Sequence, residues 1–438
     1  MCVSIIRALL YGGRPYFTLM NESATGIATL AAAAVGLCVL LRIARPRSDA
    51  RDAISAWAVF AGLAAATALG PALLGRVDPA LHARMITGVA TDSAEAAALA
   101  RAEARLRADA AAGARTEEAV AALRHAQDAV DTASQSFAQP RRAAAAALGA
   151  ILLILCWPRL KRVSSTSGVT ALVAWSVTLP ALLAYIAMRM WVGADEVASL
   201  CAAAACATGA TFPTAAAWRA ARRSDGSGGS LVARAGAWCL PVAAAVLLSA
   251  VVVAHLRTGS SDAASIAASF AAHHPITLAA AATILAACAA APTAGRWLSP
   301  PDVTDASPTP ARAWRGLGID ALTAATVALT VAHVNPLSWD FLWAAAIFAL
   351  IAEDGRWVAG WAACYLQGTH TSRDAARVGA MLEENSRPMV AIIAAATALQ
   401  LLGTQEAALM CSAAWALDLT WGVRRLISVA PAKQAPQE

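Results

Sequence analysis

Apolar blocks of roughly twenty residues recur along the whole chain, separated by short connectors rich in arginine. About twenty apolar residues is the length of helix that crosses the hydrocarbon of a bilayer. Backbone groups in lipid find no water, so such blocks must close their hydrogen bonds internally, as helices. The sequence therefore predicts an all-α fold: a polytopic α-helical membrane protein of about 11 transmembrane helices. The predicted spans are 25–41, 55–74, 143–157, 168–188, 197–218, 235–254, 275–292, 316–333, 339–366, 388–403 and 407–423. Only 14% of residues are charged, against about 25% in ordinary soluble domains, and the mean hydropathy is +0.57. Alanine dominates the blocks, and small side chains let helices approach closely, so a tightly packed bundle is expected.

Orientation follows from the basic residues, nearly all of them arginine. With the N-terminus outside, the cytoplasmic connectors are 42–54, 158–167, 219–234, 293–315, 367–387 and 424–438. Together they hold twenty Lys and Arg, whereas the short outer loops hold only Arg189 and Arg257. Cytoplasmic connectors of membrane proteins carry this excess. The net charge of +6 thus reflects topology, and nucleic acid is not an expected partner. The expected location is a bacterial cytoplasmic membrane, with the C-terminus inside. Met20 opens "MNESATG", a polar lead into the first block, and is an alternative start to Met1. Arginines follow that block and do not precede it, so it should stay as an anchor and not be cleaved as a signal peptide.

Five regions result: 1–76 with two spans; 77–140, too polar to span; 141–223 with spans three to five; 224–298, a linker and two spans; and 299–438, a second linker, four spans and a tail. By parity 77–140 is an extracytoplasmic helical hairpin. Asp92 and Glu95 form a capping-box pattern ahead of Leu99, Ala102 and Leu106. Gly113 interrupts, Thr116 caps a second helix, and Val120, Leu123, Val130 and Phe137 hold coiled-coil positions before Pro140, where the helix should end. The hairpin is either a solvated spacer or a surface for a protein partner or self-association.

One span carries charge in its middle: "FALIAEDGRWVAGW", 348–361. A charge at a helix centre costs about 2.5–3.5 kcal/mol on insertion scales, so Glu353, Asp354 and Arg356 need partners, water or an interface. Glu353 and Arg356 share a helix face, and Gly355 allows a local break, as at transporter ion sites. Alternatively Trp357, Trp361 and Tyr365 form an inner aromatic belt and Arg356 snorkels to it. Asp320, Asp418, Thr208 and Thr211 fall at the same inner depth. With Glu353, Asp354 and Arg356 they form the candidate ion- or substrate-binding set. Thr323, Thr326 and Thr330 share a stripe with Asp320, although threonine hydroxyls in helices commonly bond the preceding turn. His255, His273, His274, His333 and Asp262 fall outside, without metal-ligand spacing.

No Walker A, GxSxG or HExxH sequence occurs, and the nine cysteines include no CxxC pair. No catalytic residue, metal or cofactor is therefore expected. An ion- or proton-coupled secondary transporter best accounts for carboxylates in the inner half, with a small ion or solute as substrate and the lipid bilayer as surroundings. A non-transporting scaffold or sensor acting through the hairpin is the alternative, and a membrane-embedded enzyme the second alternative.

Overall fold

A computed structural model describes residues 14–44, 54–87, 94–112, 117–156, 169–209, positions between 243 and 254, 310–366 and 386–428. Among these residues there is no strand, and the fold is all-α. The helices are α1 (Arg14–Ala44), α2 (Ile54–Leu69), two single turns α3 (Leu74–Val77) and α4 (Pro79–His82), α5 (Ala94–Ala111), α6 (Glu117–Cys156), α7 (Val169–Ile186), α8 (Glu196–Gly209), α9 (Pro310–Val331), α10 (Trp339–Leu366), α11 (Ser386–Ala398) and α12 (Thr404–Ser428). π-helical turns follow α4 (Ala83–Thr87) and α7 (Ala187–Val192). Two helical stretches are long and apolar enough to cross a membrane, Ala24–Ile43 and Trp57–Val77. Shorter apolar stretches occur in α7 to α11.

The bundle is organised around α11. It packs against α6, α8, α9 and α12, with a smaller contact to α2, and every residue of it except Arg387 is buried. Thirteen residues rise only about 20 Å, less than the roughly 30 Å of bilayer hydrocarbon. Burial, not length, therefore accounts for its uniformly apolar sequence. Sequence reading extends this span to residue 403, but the helix stops at Ala398. The chain turns there through Gln400, whose φ of 57° is left-handed, into the antiparallel partner α12.

Small residues set the spacing between helices. Gly62 of α2 lies so close to α9 that a Cβ would sit 2.5 Å from the Ala324 carbonyl oxygen and 2.6 Å from Val327 Cβ. Gly149 of α6 likewise faces Ala391 of α11. The core between them is largely alanine, with Leu63, Leu152, Met188, Phe348 and Met389 as the bulky members.

Two sequence expectations change. Pro140 does not end the hairpin helix: α6 runs unbroken for 40 residues from the hairpin into the bundle, with Pro140 inside it. One missing backbone donor is tolerated because the helix is packed on both sides of the proline, with Phe137, Ala138 and Arg141 all buried. Gly355 makes no break either, since α10 is continuous from Trp339 to Leu366. In the hairpin, α5 and α6 pack together. Their buried seam is alanine (Ala102, Ala119 and Ala126), while Leu99, Leu106, Val120 and Leu123 are only half-buried. Arg105 spans the pair to reach Glu118 at 3.8 Å.

Candidate functional site: a carboxylate clamped between two arginines

Asp320 lies on the buried face of α9 and is 1% exposed. The last turn of α1 brings Arg42 to it, and Arg42 Nη1 donates to Oδ2 at 2.9 Å. The first turn of α11 brings Arg387, whose Nη2 donates to Oδ1 at 2.6 Å. Each carboxylate oxygen thus receives one guanidinium, and the trio joins three helices far apart in sequence. The guanidiniums are partly open, at 30% exposure for Arg42 and 20% for Arg387. Gly316, one turn before Asp320, lies beside Arg42, and a Cβ there would make an ordinary van der Waals contact with its Nη2 at 3.6 Å.

The neighbouring residue on α11 ties in a second acid. Ser386 Oγ donates to Asp418 Oδ2 of α12 at 2.5 Å, and both side chains are buried. Asp320 and Asp418 are therefore held by consecutive residues at the N-terminus of α11. The helix dipole is positive there and favours carboxylates. Pro388 sits in the same first turn, where a missing N–H costs nothing. Chemically, the arrangement is a cross-link that holds as long as Asp320 is ionised and no other cation displaces the guanidiniums.

The remaining predicted site residues divide into two groups. Thr208 is fully buried in α8, and its hydroxyl bonds the Ala205 carbonyl at 2.6 Å. Thr323, Thr326 and Thr330 each bond the carbonyl four residues back, which is ordinary back-bonding. Thr211 and the side chains of Glu353, Asp354 and Arg356 lie outside the described residues. The structure thus holds Asp320 and Asp418 from one end of α11, and the Thr208 hydroxyl bonds a carbonyl of α8 itself.

Sequence reasoning missed the two arginines of the clamp, having counted Arg42 and Arg387 only as topology markers. Position held the available signal. Each sits at the very end of an apolar block, where a side chain can turn back into the bundle. His333 also differs from its sequence setting. It touches Arg141, not an outer metal cluster; His255, His273, His274 and Asp262 lie outside the described residues. Among the described residues no group of three or more His, Cys, Asp or Glu side chains is placed to hold a metal.

Fold and site together define an all-α bundle with two helices of membrane-crossing length and a buried ionic clamp. No protein family matches the chain, and no curated protein does.

Proposed function

We propose that this is a multi-pass protein of a bacterial cytoplasmic membrane, with about eleven spans and its C-terminus inside, and that it is an ion- or proton-coupled secondary transporter whose inner side is closed by the Asp320 clamp. The observation that carries the reading is the clamp itself. A buried carboxylate ties α1, α9 and α11 at the depth that the arginine count assigns to the cytoplasmic face. Charged groups held among spans mark ion pathways more often than they stabilise a bundle. Large apolar side chains exposed along the helices support the membrane setting, among them Leu40, Ile43, Leu182, Ile186, Leu350 and Val358. Trp57, Trp191, Trp339, Trp343 and Tyr365 are exposed near the ends of apolar blocks, and the arginine count puts the first and last of them at the inner interface and the other three at the outer, where aromatics belong. In this reading Asp320 takes up a proton or cation, releases Arg42 and Arg387, and lets α1 and α11 separate from α9. Glu353 and Asp354 supply further carboxylates at the same depth.

The test is flux of protons or cations in reconstituted vesicles. Glu353→Gln and Asp354→Asn are expected to abolish it. Flux surviving both changes removes these residues from the mechanism, and no flux of any tested ion in the wild-type protein removes transport.

A scaffold or sensor role is favoured by a different observation, the continuity of α6 from hairpin to bundle. An unbroken helix carries a displacement at the hairpin directly to α9 and α11, against which it packs. Deleting 85–138 spares flux in the transporter reading and abolishes a response to an external partner in the sensor reading.

A further inference from the structure

A second charged cluster lies about 20 Å along α9 from Asp320, by helical rise. At its centre is Arg141 of α6, 3% exposed. Its Nη1 donates to the Ile86 carbonyl of the π-helical turn at 2.9 Å, and its Nη2 lies against His333 Nε2. Because the guanidinium can only donate, His333 must offer a lone pair there and carry its proton on Nδ1. Arg141 Nε is buried and has no hydrogen-bond partner. His82 approaches from α4. A Cβ on Gly75 would lie 3.5 Å from its Nδ1, while the opposite end of the ring, Nε2, is also buried without a partner. Arg142 and His82 lie within electrostatic range of His333. Burial, and then the charge of Arg141, push His82 below the ordinary imidazole value, so its ring is neutral at pH 7.

The contrast with the clamp is one of charge. There a carboxylate sits between two arginines; here, among the described residues, no carboxylate pairs with Arg141 or Arg142. Taking an ion out of water costs several kcal/mol unless it is paired and hydrogen-bonded. The walls offer no relief, since Leu30, Ile86, Ala145, Leu329 and Ala332 are apolar and buried.

We infer that Arg141 and His82 form a binding site for a small monovalent inorganic anion of the chloride class. Arg141 Nε–H and His82 Nε2–H are the free donors, and the Arg141–His333 contact holds the guanidinium in place. Chloride needs only donors and positive charge, and both are present without a competing acid among the described residues. The inference is independent of the transport proposal, since a purely structural anion would satisfy the same groups.

The experiment uses the full-length protein in detergent, with thermal unfolding followed as sodium chloride replaces sodium gluconate at constant ionic strength. A saturable rise in the unfolding midpoint with chloride is expected. His82→Ala, at a half-buried position, removes one donor and should raise the half-saturating chloride concentration about tenfold. Arg141→Lys removes Nε and should abolish the response. Equal midpoints in chloride and gluconate overturn the site, as they would if a carboxylate of the chain were the counterion. A chloride effect unchanged in His82→Ala also overturns it, because the effect would then be an unspecific salt response. Should Arg141→Lys fail to fold, His82→Ala and the two-salt comparison decide alone.

Discussion

Replacing Asp320 by asparagine exchanges one carboxylate oxygen for an NH₂ and removes the negative charge from two ion pairs at once. The carboxylate accepts from Arg42 at 2.9 Å and from Arg387 at 2.6 Å, one per oxygen. Asparagine keeps one acceptor and places its NH₂ where the other guanidinium donates, so one contact becomes donor against donor. A hydrogen bond to a charged group contributes about 1.5–3 kcal/mol. The Arg42 pair belongs at the low end because that side chain is 30% exposed and water screens it. The shorter bond to Arg387 belongs higher. Asp320→Asn should therefore cost about 3–5 kcal/mol, the range found when one partner of a buried pair is removed. Denaturant unfolding in micelles, followed by the helical circular-dichroism signal, measures it. A double-mutant cycle should give stronger coupling of Asp320 to Arg387 than to Arg42. Replacing all three residues together by Met, Leu and Met should recover most of the loss, because the desolvation cost leaves with the charges. An Asp320→Asn protein within about 0.5 kcal/mol of wild type would refute the clamp, since that is the range of a neutral surface change.

Two further substitutions test the packing. Gly62→Ala puts a methyl group against the Ala324 carbonyl oxygen and Val327, and should cost about 1–3 kcal/mol by overpacking in the same unfolding assay. Pro140→Ala restores a backbone donor inside α6. It should stabilise the protein by up to about 3 kcal/mol, the penalty of proline within a helix; no gain would mean that the helix is interrupted there.

Much of the fold was legible because helix periodicity and block length are local properties. The boundaries of α10 match the sequence reading, Trp339 to Leu366, because an aromatic and a polar run mark its two ends. The end of α11 was misplaced because alanine and leucine continue past Ala398 with nothing to mark the turn at Gln400. Pro140 misled for the opposite reason: a local helix breaker was overridden by packing on both sides. In the site, Asp320 and Asp418 enter one candidate set through the depth the arginine count assigns them, and in the structure consecutive residues of α11 hold both. Depth says nothing about which residues face one another across a bundle. The pairing with Arg42 and Arg387 depends on α1, α9 and α11 meeting, and that long-range packing has no signature in any one segment. The Arg141 cluster was hidden for the same reason, its members coming from α4, α6 and the residue stretch just past α9.

The central claim is that the arginines sort the connectors between two sides of a membrane, and labelling in intact cells tests it most directly. With the nine native cysteines replaced by alanine, one cysteine is introduced at Arg107, whose side chain is 80% exposed on α5, or at Arg222 in the 219–234 connector. A membrane-impermeant maleimide added to whole cells should label the Arg107→Cys protein and leave the Arg222→Cys protein unmodified until the cells are lysed. Labelling of Arg222→Cys in intact cells, with Arg107→Cys protected, would contradict the account.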